Sequence, residues 1–399
     1  MNKNLIVKIC ALVLAVTMML LAVGGCGENP TDTTSSNRRP GTTSSDNTSS
    51  DDNASSEDTS SGDTSSDTTS SNTDNVITTM VAVEYDADKN PLKRGVNLSN
   101  FEMHDEIGYE NWIFQAKYYD ALREKGFDHV RLPVDFFDYI DFEGPDYKID
   151  EETLRKLDMV INTALSAGLK IVLDFHHFGV LQKEFNAHKD KYFKIWEQLS
   201  VHYQNYPSGL VFELINEPAN PGTVRGAKDP ITPYIMQIQD EAIKIIRKTN
   251  PTRLIVHATK YNNHYDALKS TPAPEDENVI MSVHVYDPYD FTHQGTTWLD
   301  DAYANTRPYG EDVRTDLEAI FQGLAEYQQS TGVPVWLGEF GVTNKASAED
   351  RRKYAELINE LSQKYKIGWC WFEFSSGFGL YDLGKGDWTS DGVADALTK

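Results

Sequence analysis

The chain has 399 residues, which exceeds the usual size of one domain, and no aromatic residue precedes Tyr85. The formal net charge is −24 at pH 7, and this acidity excludes nucleic acid as a partner because binding to phosphates requires a basic surface. The same charge says little about a neutral ligand.

Residues 1–25 have the layout of a secretory signal. Lys3 and Lys8 precede an uncharged apolar run that ends in small residues. A retained membrane span is the alternative interpretation. The ending LAVGGC resembles the lipobox of bacterial lipoproteins, and this resemblance implies that Cys26 carries a lipid and becomes the mature N-terminus. We therefore expect an exported protein that is anchored to the bacterial cell surface through Cys26, or secreted.

Residues 26–78 are predicted to be a lipidated cysteine followed by a disordered linker. Between residues 31 and 73, 25 of 43 residues are Ser or Thr. Such a segment buries too little apolar surface to offset the entropy lost on ordering, so we expect a solvated tether. With Cys10 in the signal and Cys26 blocked by lipid, Cys370 has no partner, and we expect no internal disulfide.

From residue 79 to 399, short apolar runs alternate with longer amphipathic segments. The runs are continuously apolar, as in parallel strands covered on their outer face. Eight strand and helix units predict a single (β/α)8 barrel of the α/β class, because parallel strands need crossover helices and eight strands close the sheet. An open doubly wound sheet is the alternative, although no Gly-rich phosphate loop follows the first strand. The eight predicted strands are 94–100, 128–134, 169–175, 210–216, 253–259, 279–286, 334–341 and 367–374.

The fifth unit has the weakest helical pattern. Its segment NNHYDALKS follows the fifth predicted strand and could be irregular.

Polar residues lie near the ends of several predicted strands, where a barrel places its active site. His284 and Tyr286 are two apart and share a face, whereas His176 and His177 are adjacent and face opposite sides. Taken singly, Arg131 could equally be a structural ion-pair partner and Trp371 could belong to the core. The whole set is Arg131, His176, His177, Asn216, Glu217, His284, Tyr286, Glu339 and Trp371.

Two carboxylates from different strands, beside an arginine, histidines, a tyrosine and an aromatic ring, suit the cleavage of a glycosidic bond. From about Arg94 to the C-terminus, the chain resembles glycoside hydrolase family 5, which contains many endo-β-1,4-glucanases and β-mannanases. The segments that carry the resemblance are HVRLPV, VLDFHHF, FELINEP, SVHVYDP, WLGEFG and GWCWFEFSSGFGLYD.

The resemblance implies a role for each matching residue. Glu217 is implied as the general acid/base and Glu339 as the nucleophile. Among the implied substrate-binding residues, Arg131 and Tyr286 hold the nucleophile and Asn216 binds the sugar 2-OH. His177 and His284 are implied as hydrogen-bonding residues that line the site, with His176 as a weaker candidate. Trp371 is implied as the platform under the sugar ring. Glu373 could contact sugar or form a structural ion pair. No cofactor and no metal is implied.

The two implied catalytic acids should differ in pKa. Burial and the negative charge of Glu339 should raise the pKa of Glu217, so that it keeps its proton, while Arg131 and Tyr286 should favour the ionised form of Glu339. A retaining mechanism further predicts carboxyl groups about 5 to 5.5 Å apart.

Other interpretations remain open at this point. A metal site could use His176, His177, His284 and the two glutamates, although no compact ligand spacing supports it. A non-catalytic glycan-binding lipoprotein is a second alternative.

Within the enzyme interpretation, the substrate is a polysaccharide, namely β-1,4-glucan, with mannan or xyloglucan as alternatives, and we expect a monomer. Tyr289, Trp298 and Trp388 could be stacking platforms or could cover the barrel rim.

Overall fold

The computed structural model describes most of the chain beyond residue 85. The predicted signal and linker, including Cys26, lie outside the described residues, as do His177 and Trp298. The described ranges are 86–98, 115–136, 144–176, 178–218, 231–296, 299 and 303–399.

Eight parallel strands form a closed barrel, in which each strand pairs with the next and β8 pairs with β1. The prediction of a (β/α)8 barrel is confirmed, and the open doubly wound sheet is excluded. The strands are β1 (Arg94–Asn97), β2 (His129–Val134), β3 (Lys170–Phe175), β4 (Leu210–Glu213), β5 (Ile255–Ala258), β6 (Val279–His284), β7 (Val335–Phe340) and β8 (Gly368–Trp371). A small antiparallel pair follows, made of β9 (Tyr381–Asp382) and β10 (Asp387–Trp388).

Helices between the strands cover the outside of the barrel. The long ones have capping residues that explain their limits: Asp150 and Ser347 accept backbone N–H groups at two helix starts, and Gly126 and Gly332 adopt the left-handed conformation at two ends. The helices are α1 (Ala116–Lys125), α2 (Glu151–Ser166), α3 (Gly179–Lys183), α4 (Phe185–His202), α5 (Ile235–Arg247), α6 (Lys260–Asn263), α7 (Tyr289–Thr292), α8 (Glu311–Thr331), α9 (Ala348–Tyr365) and α10 (Val393–Thr398).

The connection from β5 to β6 is irregular, in agreement with its weak helical pattern. It contains the single turn α6, in which Tyr261 and Asn262 have left-handed backbone angles, and a 3₁₀ segment at Tyr265–Ser270.

Apolar side chains fill two separate layers. One cluster takes one residue from each of the six strands β3 to β8 and occupies the barrel interior, whereas a larger cluster packs between the strands and the helices. Cys370 lies in the inner cluster as a buried free thiol. Among the described residues, no helix combines the length and apolar character that a membrane crossing requires. The inner cluster comprises Leu92, Val172, Val211, Val256, Ile280, Trp336 and Cys370.

Candidate active site

Arg131 lies at the centre of the carboxyl end of the barrel and is fully buried. Its side chain bonds five partners, which come from four other strands or the residues just after them. Nε and Nη2 form a bidentate pair with Glu213 at 2.6 and 3.1 Å; the remaining contacts are Nη1 to Asn97 Oδ1 (2.9 Å) and Glu339 Oε1 (2.7 Å), and Nη2 to Asn216 Oδ1 (2.8 Å) and Asp174 Oδ2 (2.9 Å).

The charges around Arg131 keep it ionised. Burial lowers the pKa of Arg131, but the negative charges of Asp174, Glu213 and Glu339 raise it well above its usual value. A buried ion is tolerated only when partners of opposite charge surround it, and here three carboxylates do so. The site therefore holds one permanent positive charge beside Glu339.

A bulge in β7 directs Glu339 into the barrel mouth. Leu337 pairs with Trp369 and Phe340 with Trp371, so β7 has one more residue than β8 over this stretch. The register against β6 shifts at the same place. With strict alternation Glu339 would share the face of Leu337, which packs outside the barrel. The extra residue lets Glu339 face inward, where its carboxylate is 7% exposed.

Two donors hold the Glu339 carboxylate. Arg131 donates to Oε1, and the Tyr286 hydroxyl donates to Oε2 over 3.0 Å. Burial, followed by the charges of Glu339 and Glu217, raises the pKa of Tyr286 well above its usual value, so that the hydroxyl keeps its proton. Arg131 and Tyr286 thus make the contacts with Glu339 that we expected of them.

Glu217 follows β4 with a left-handed backbone angle, φ 41°. This conformation is unusual for a residue with a side chain and persists only where the surroundings impose it. The backbone N–H of Asn216 donates to Phe175 and so fixes the preceding residue to β3. Oε1 of Glu217 lies 2.8 Å from Nδ1 of His284, and the side chain is 33% exposed.

The expectation of a raised pKa for Glu217 is wrong for the ligand-free protein. Burial raises the pKa of Glu217, but the hydrogen bond with His284 and the charges of His284 and Arg131 lower it below the usual value. The prediction considered Glu339 and burial alone. It missed His284 as a direct partner, because His284 and Glu217 come from different strands, 67 residues apart.

His176 orients Asn216 through its ring. Nδ1 of His176 lies 2.5 Å from Oδ2 of Asp174, and Nε2 lies 3.4 Å from Nδ2 of Asn216. Since a carboxylate and an amide N–H demand a donor and an acceptor respectively, the ring carries its proton on Nδ1. The Asn216 oxygen already accepts from Arg131, so the amide orientation is fixed from both ends.

Trp371 does not line the mouth, and its prediction as a sugar platform is wrong. The side chain is fully buried, its Nε1–H donates to Phe378 O over 3.0 Å, and its ring packs edge-on against Phe340. The Arg351 guanidinium of α9 lies over the ring at 5.9 Å, so Trp371 faces the outer helices. The next residue, Phe372, is half-buried.

Ring contacts connect Phe372 to the site. Phe372 contacts Phe378 at 6.1 Å between ring centroids, and Phe378 contacts Tyr286 at 6.2 Å. Phe372, which we did not single out, is therefore a better candidate for a ring at the mouth than Trp371.

Three further predicted residues lie in different surroundings. Glu373 is buried, and its charge contributes to the raised pKa of Tyr286. Trp388 stacks on Phe127, which precedes β2 at the opposite end of the barrel, so it covers the barrel away from the mouth. Tyr289 follows β6 and is 40% exposed.

Three buried polar residues of the site were not predicted from the sequence. Asn97, Asp174 and Glu213 contact Arg131 and are fully buried. A signal existed for Asp174 and Glu213, since both are carboxylates inside apolar strands, the same cue that identified Glu339. Burial raises the pKa of Glu213 to about 7, although Arg131 opposes this rise.

The site also offers a set of potential metal ligands. Glu217, His284 and Glu339 each present one ligand atom, and these atoms lie within 4.8 Å of one another. This compactness brings the two carboxylates together, as a shared reaction centre requires.

Comparison with known proteins gives consistent matches. The model of the cellulase family, glycosyl hydrolase family 5, matches residues 85–377. Cellodextrinase A of Ruminococcus flavefaciens is 30% identical over 290 residues, which span 69% of this chain and 83% of that protein. Endoglucanase A of Ruminococcus albus is 28% identical over 314 residues, which span 73% of this chain and 84% of that protein. For endoglucanase H of Acetivibrio thermocellus the identity is 30% over 271 residues, but the match spans only 28% of that longer protein.

Solved structures agree with the barrel. A hyperthermophilic endo-β-1,4-glucanase in complex with substrate superposes with a TM-score of 0.72 at 28% identity and covers 78% of this chain and 99% of its own. An endoglucanase of Thermotoga maritima, solved with mannotriose and also with cellobiose, superposes with a TM-score of 0.71 at 30% identity and the same coverage.

Proposed function

The chain belongs to the cellulase family, glycosyl hydrolase family 5, and on this premise we propose that it cleaves β-1,4-glucan chains internally with retention of configuration. The observation that carries the proposal is the pair Glu217 and Glu339, whose carboxylate oxygens come from different strands and lie within 4.8 Å of each other. Such closeness suits direct attack by one carboxylate rather than by a water placed between the two.

Glu339 is the nucleophile in this proposal. Its Oε atom bonds to the anomeric carbon while the bond from that carbon to the leaving oxygen breaks, which gives a glycosyl ester. Arg131 and Tyr286 support this role, because they hold the carboxylate in place and favour its ionised form. The ester carries no negative charge, so Arg131 is left with Glu213 and Asp174 as its ionic partners.

Glu217 is the general acid and then the general base. One proton lies between Oε1 of Glu217 and Nδ1 of His284, and the leaving oxygen takes it through Glu217 in the first step. In the second step Glu217 accepts a proton from water, which attacks the ester and releases Glu339. His284 and Glu217 therefore hold this proton as a pair.

Asn216 is proposed to bind the 2-OH of the sugar that forms the ester. Its oxygen accepts from Arg131 and one amide N–H faces His176, so the second N–H is available in a fixed direction. Bonds to the 2-OH that strengthen in the transition state assist glycoside cleavage.

Glucan is the preferred substrate of the proposal, and mannan or xyloglucan the alternatives. The relatives are named endoglucanases and a cellodextrinase, while the Thermotoga maritima structures hold cellobiose or mannotriose. We further infer an exported enzyme that acts on polysaccharide outside the cell as a monomer. Anchoring through lipidated Cys26 stays a prediction; labelled palmitate should enter the wild type in a bacterial host but not Cys26→Ser.

The mechanism is tested by product configuration and by rescue. NMR of the first product should show retention, and inversion would refute the double displacement. Glu339→Gly should be inactive, with azide restoring turnover as a glycosyl azide. Azide should give a glycosyl azide of inverted configuration with Glu339→Gly and of retained configuration with Glu217→Gly, and the opposite pair of configurations would exchange the two roles.

Two further measurements address the alternatives. The double variant lacking both glutamates is the control for polysaccharide turnover, and equal release of sugar by this variant and the wild type would indicate a binding protein. Activity that persists after exhaustive EDTA treatment would eliminate the metal alternative, whereas loss restored by a divalent cation would support it.

A further inference from the structure

Asp174 is a fully buried carboxylate to which the proposed mechanism assigns only an ionic contact with Arg131. It belongs to β3 and lies two residues after Val172 of the inner cluster, so its side chain shares the inward face of the strand. One oxygen makes both of its contacts at the site: Oδ2 lies 2.9 Å from Nη2 of Arg131 and 2.5 Å from Nδ1 of His176.

The ion pair with Arg131 does not by itself explain a carboxylate at this position. The second oxygen of Asp174, Oδ1, is buried and accepts no hydrogen bond from any described residue. An unpaired buried oxygen lowers stability, and Arg131 already has a bidentate partner in Glu213. Such an exception to the pairing of buried polar groups calls for a role beyond stability, and the contact with His176 indicates which one.

The hydrogen bonds that lead from Asp174 to Asn216 have only one possible direction. A carboxylate only accepts, so Nδ1 of His176 carries the proton and Nε2 is an acceptor, which lies 3.4 Å from Nδ2 of Asn216. The amide oxygen of Asn216 lies 2.8 Å from Nη2 of Arg131, which only donates. Asp174 and Arg131 thus fix the amide from its two ends and leave one N–H of Asn216 to face a ligand.

We propose that Asp174 is a positioning residue that acts through His176 to direct the amide of Asn216 toward the 2-OH of the sugar that forms the ester. This inference rests on the proposed function and adds the group that determines how the enzyme recognises this hydroxyl. The 2-OH is equatorial in glucose and axial in mannose, so an N–H with a fixed direction favours one of the two sugars. Asp174 thereby contributes to the preference for glucan over mannan.

Two neutral replacements of Asp174 test this role. Asp174→Leu has the same number of side-chain heavy atoms but no acceptor, so Nδ1–H of His176 loses its partner. When the proton moves to Nε2, it meets an N–H of Asn216, and the amide turns away. Asp174→Asn removes the same charge but keeps an oxygen. The positive charge of Arg131 favours this oxygen at the place of Oδ2, where His176 still donates to it, so Asp174→Asn is the matched control.

The substrates are 4-nitrophenyl β-cellobioside and its analogue that lacks the 2-OH on the sugar that forms the ester. The hydroxyl preference is kcat/KM for the first compound divided by kcat/KM for the second. We expect Asp174→Leu to lower this preference about tenfold, the effect of one hydrogen bond in the transition state, and Asp174→Asn to keep it within about twofold of the wild type. An unchanged preference in Asp174→Leu, or an equal loss in both variants, would refute the positioning role and leave Asp174 as a structural partner of Arg131.

His176→Phe provides the test if Asp174→Leu does not fold. This variant keeps Asp174 beside Arg131 and a ring in the same place, but the ring cannot accept from Asn216. The hydroxyl preference should fall about tenfold here as well, and a preference equal to that of the wild type would refute the proposal.

Nitrogen-15 NMR of the histidine rings gives a readout that does not depend on activity. In the wild type and in Asp174→Asn, Nδ1 of His176 should carry the proton, whereas in Asp174→Leu the proton should move at least partly to Nε2. His176→Phe identifies the signals by their loss. A wild-type ring with its proton on Nε2 would refute the proposal. If the proton lies on Nδ1 but the wild type does not cleave the cellobioside, the glucanase is refuted and the role at the 2-OH with it, while the order of hydrogen bonds stands.

Discussion

The imidazole of His284 lies between the two catalytic carboxylates, with Nδ1 2.8 Å from Glu217 and 3.7 Å from Glu339. This ring is the main reason that the pKa of Glu217 is lowered, because its hydrogen bond and charge oppose the effect of burial. His284 therefore controls the pH range over which Glu217 can act as an acid.

His284→Asn should move the alkaline limb of the pH profile to higher pH. The variant removes the partner that lowers the pKa of Glu217, so this pKa rises and the general acid keeps its proton to higher pH. We also expect kcat/KM at the optimum to fall about tenfold or more, because the proton is less well placed. His202→Asn, which removes an imidazole that also pairs with a carboxylate but lies outside the barrel, is the control. An alkaline limb at unchanged or lower pH would contradict the role of His284.

Gly338→Ala should impair catalysis by disturbing the bulge in β7. An added methyl group would lie 2.5 Å from Ser282 Oγ and 3.1 Å from His284 Nε2, so Ser282 must shift and His284, which contacts Glu217, must move by a few tenths of an ångström. We expect kcat/KM to fall more than tenfold and stability to fall by about 1 to 3 kcal/mol, as for other overpacked sites.

The control for this variant is Gly323→Ala in α8, where a methyl group meets nothing within 4 Å. It should leave activity intact and stabilise the protein by about 0.5 to 1 kcal/mol. Wild-type activity in Gly338→Ala would show that the bulge is not needed to position Glu339.

Glu213→Gln should reduce the pH dependence of stability. In the folded protein burial raises the pKa of Glu213 from 4.5 to about 7, so the folded state binds more protons than the unfolded chain between these values. Stability from this group is therefore complete below pH 4.5 and is lost as the pH rises through about 7.

Glutamine resembles the protonated acid and cannot titrate, so Tm of the wild type minus Tm of Glu213→Gln should be largest near pH 5 and shrink toward pH 8. Thermal melts across this range check the trend. Glu349→Gln, at an exposed position of α9, is the control, and its difference in Tm from the wild type should not shrink between pH 5 and pH 8. A difference in Tm that grows with pH would mean that Glu213 is ionised in the folded protein at pH 5.

Trp371→Phe should affect stability rather than substrate binding. The variant loses the bond from Nε1 to Phe378 and part of a buried ring, which should lower the free energy of unfolding by about 2 kcal/mol. KM and kcat at 25 °C should stay within about twofold of the wild type. Phe372→Ala is the comparison, and we expect it to raise KM. A large rise of KM in Trp371→Phe alone would restore Trp371 as a platform.

The sequence was sufficient for the barrel, because continuous apolar runs separated by amphipathic segments have few other solutions. It was also sufficient to identify Glu217, Glu339, Arg131 and Tyr286 as neighbours, since strand ends of a barrel converge. The resemblance implied Trp371 as the platform, but Trp371 faces the outer helices, and the sequence alone does not tell which residues of β8 face inward. The bulge at Gly338 was not predicted either, because it is defined by the pairing of β7 with β6 and β8. Its one extra residue reverses which face every later side chain of the strand occupies.

The lowered pKa of Glu217 could not be foreseen for a different reason. A pKa depends on contacts between distant segments, and the 2.8 Å approach of His284 follows from the register of β6 against β7 and from the conformation of Glu217. Neither is encoded in a local pattern.

The many contacts of Arg131 have a practical consequence for anyone who wishes to alter which polysaccharide this enzyme accepts. Because one guanidinium joins β1, β2, β3, β4 and β7, substitutions among the residues that contact Arg131 would impair both folding and catalysis. Libraries of variants are better directed at exposed positions in the outer turns, such as Tyr261, which reaches solvent and can change without disturbing the buried charges.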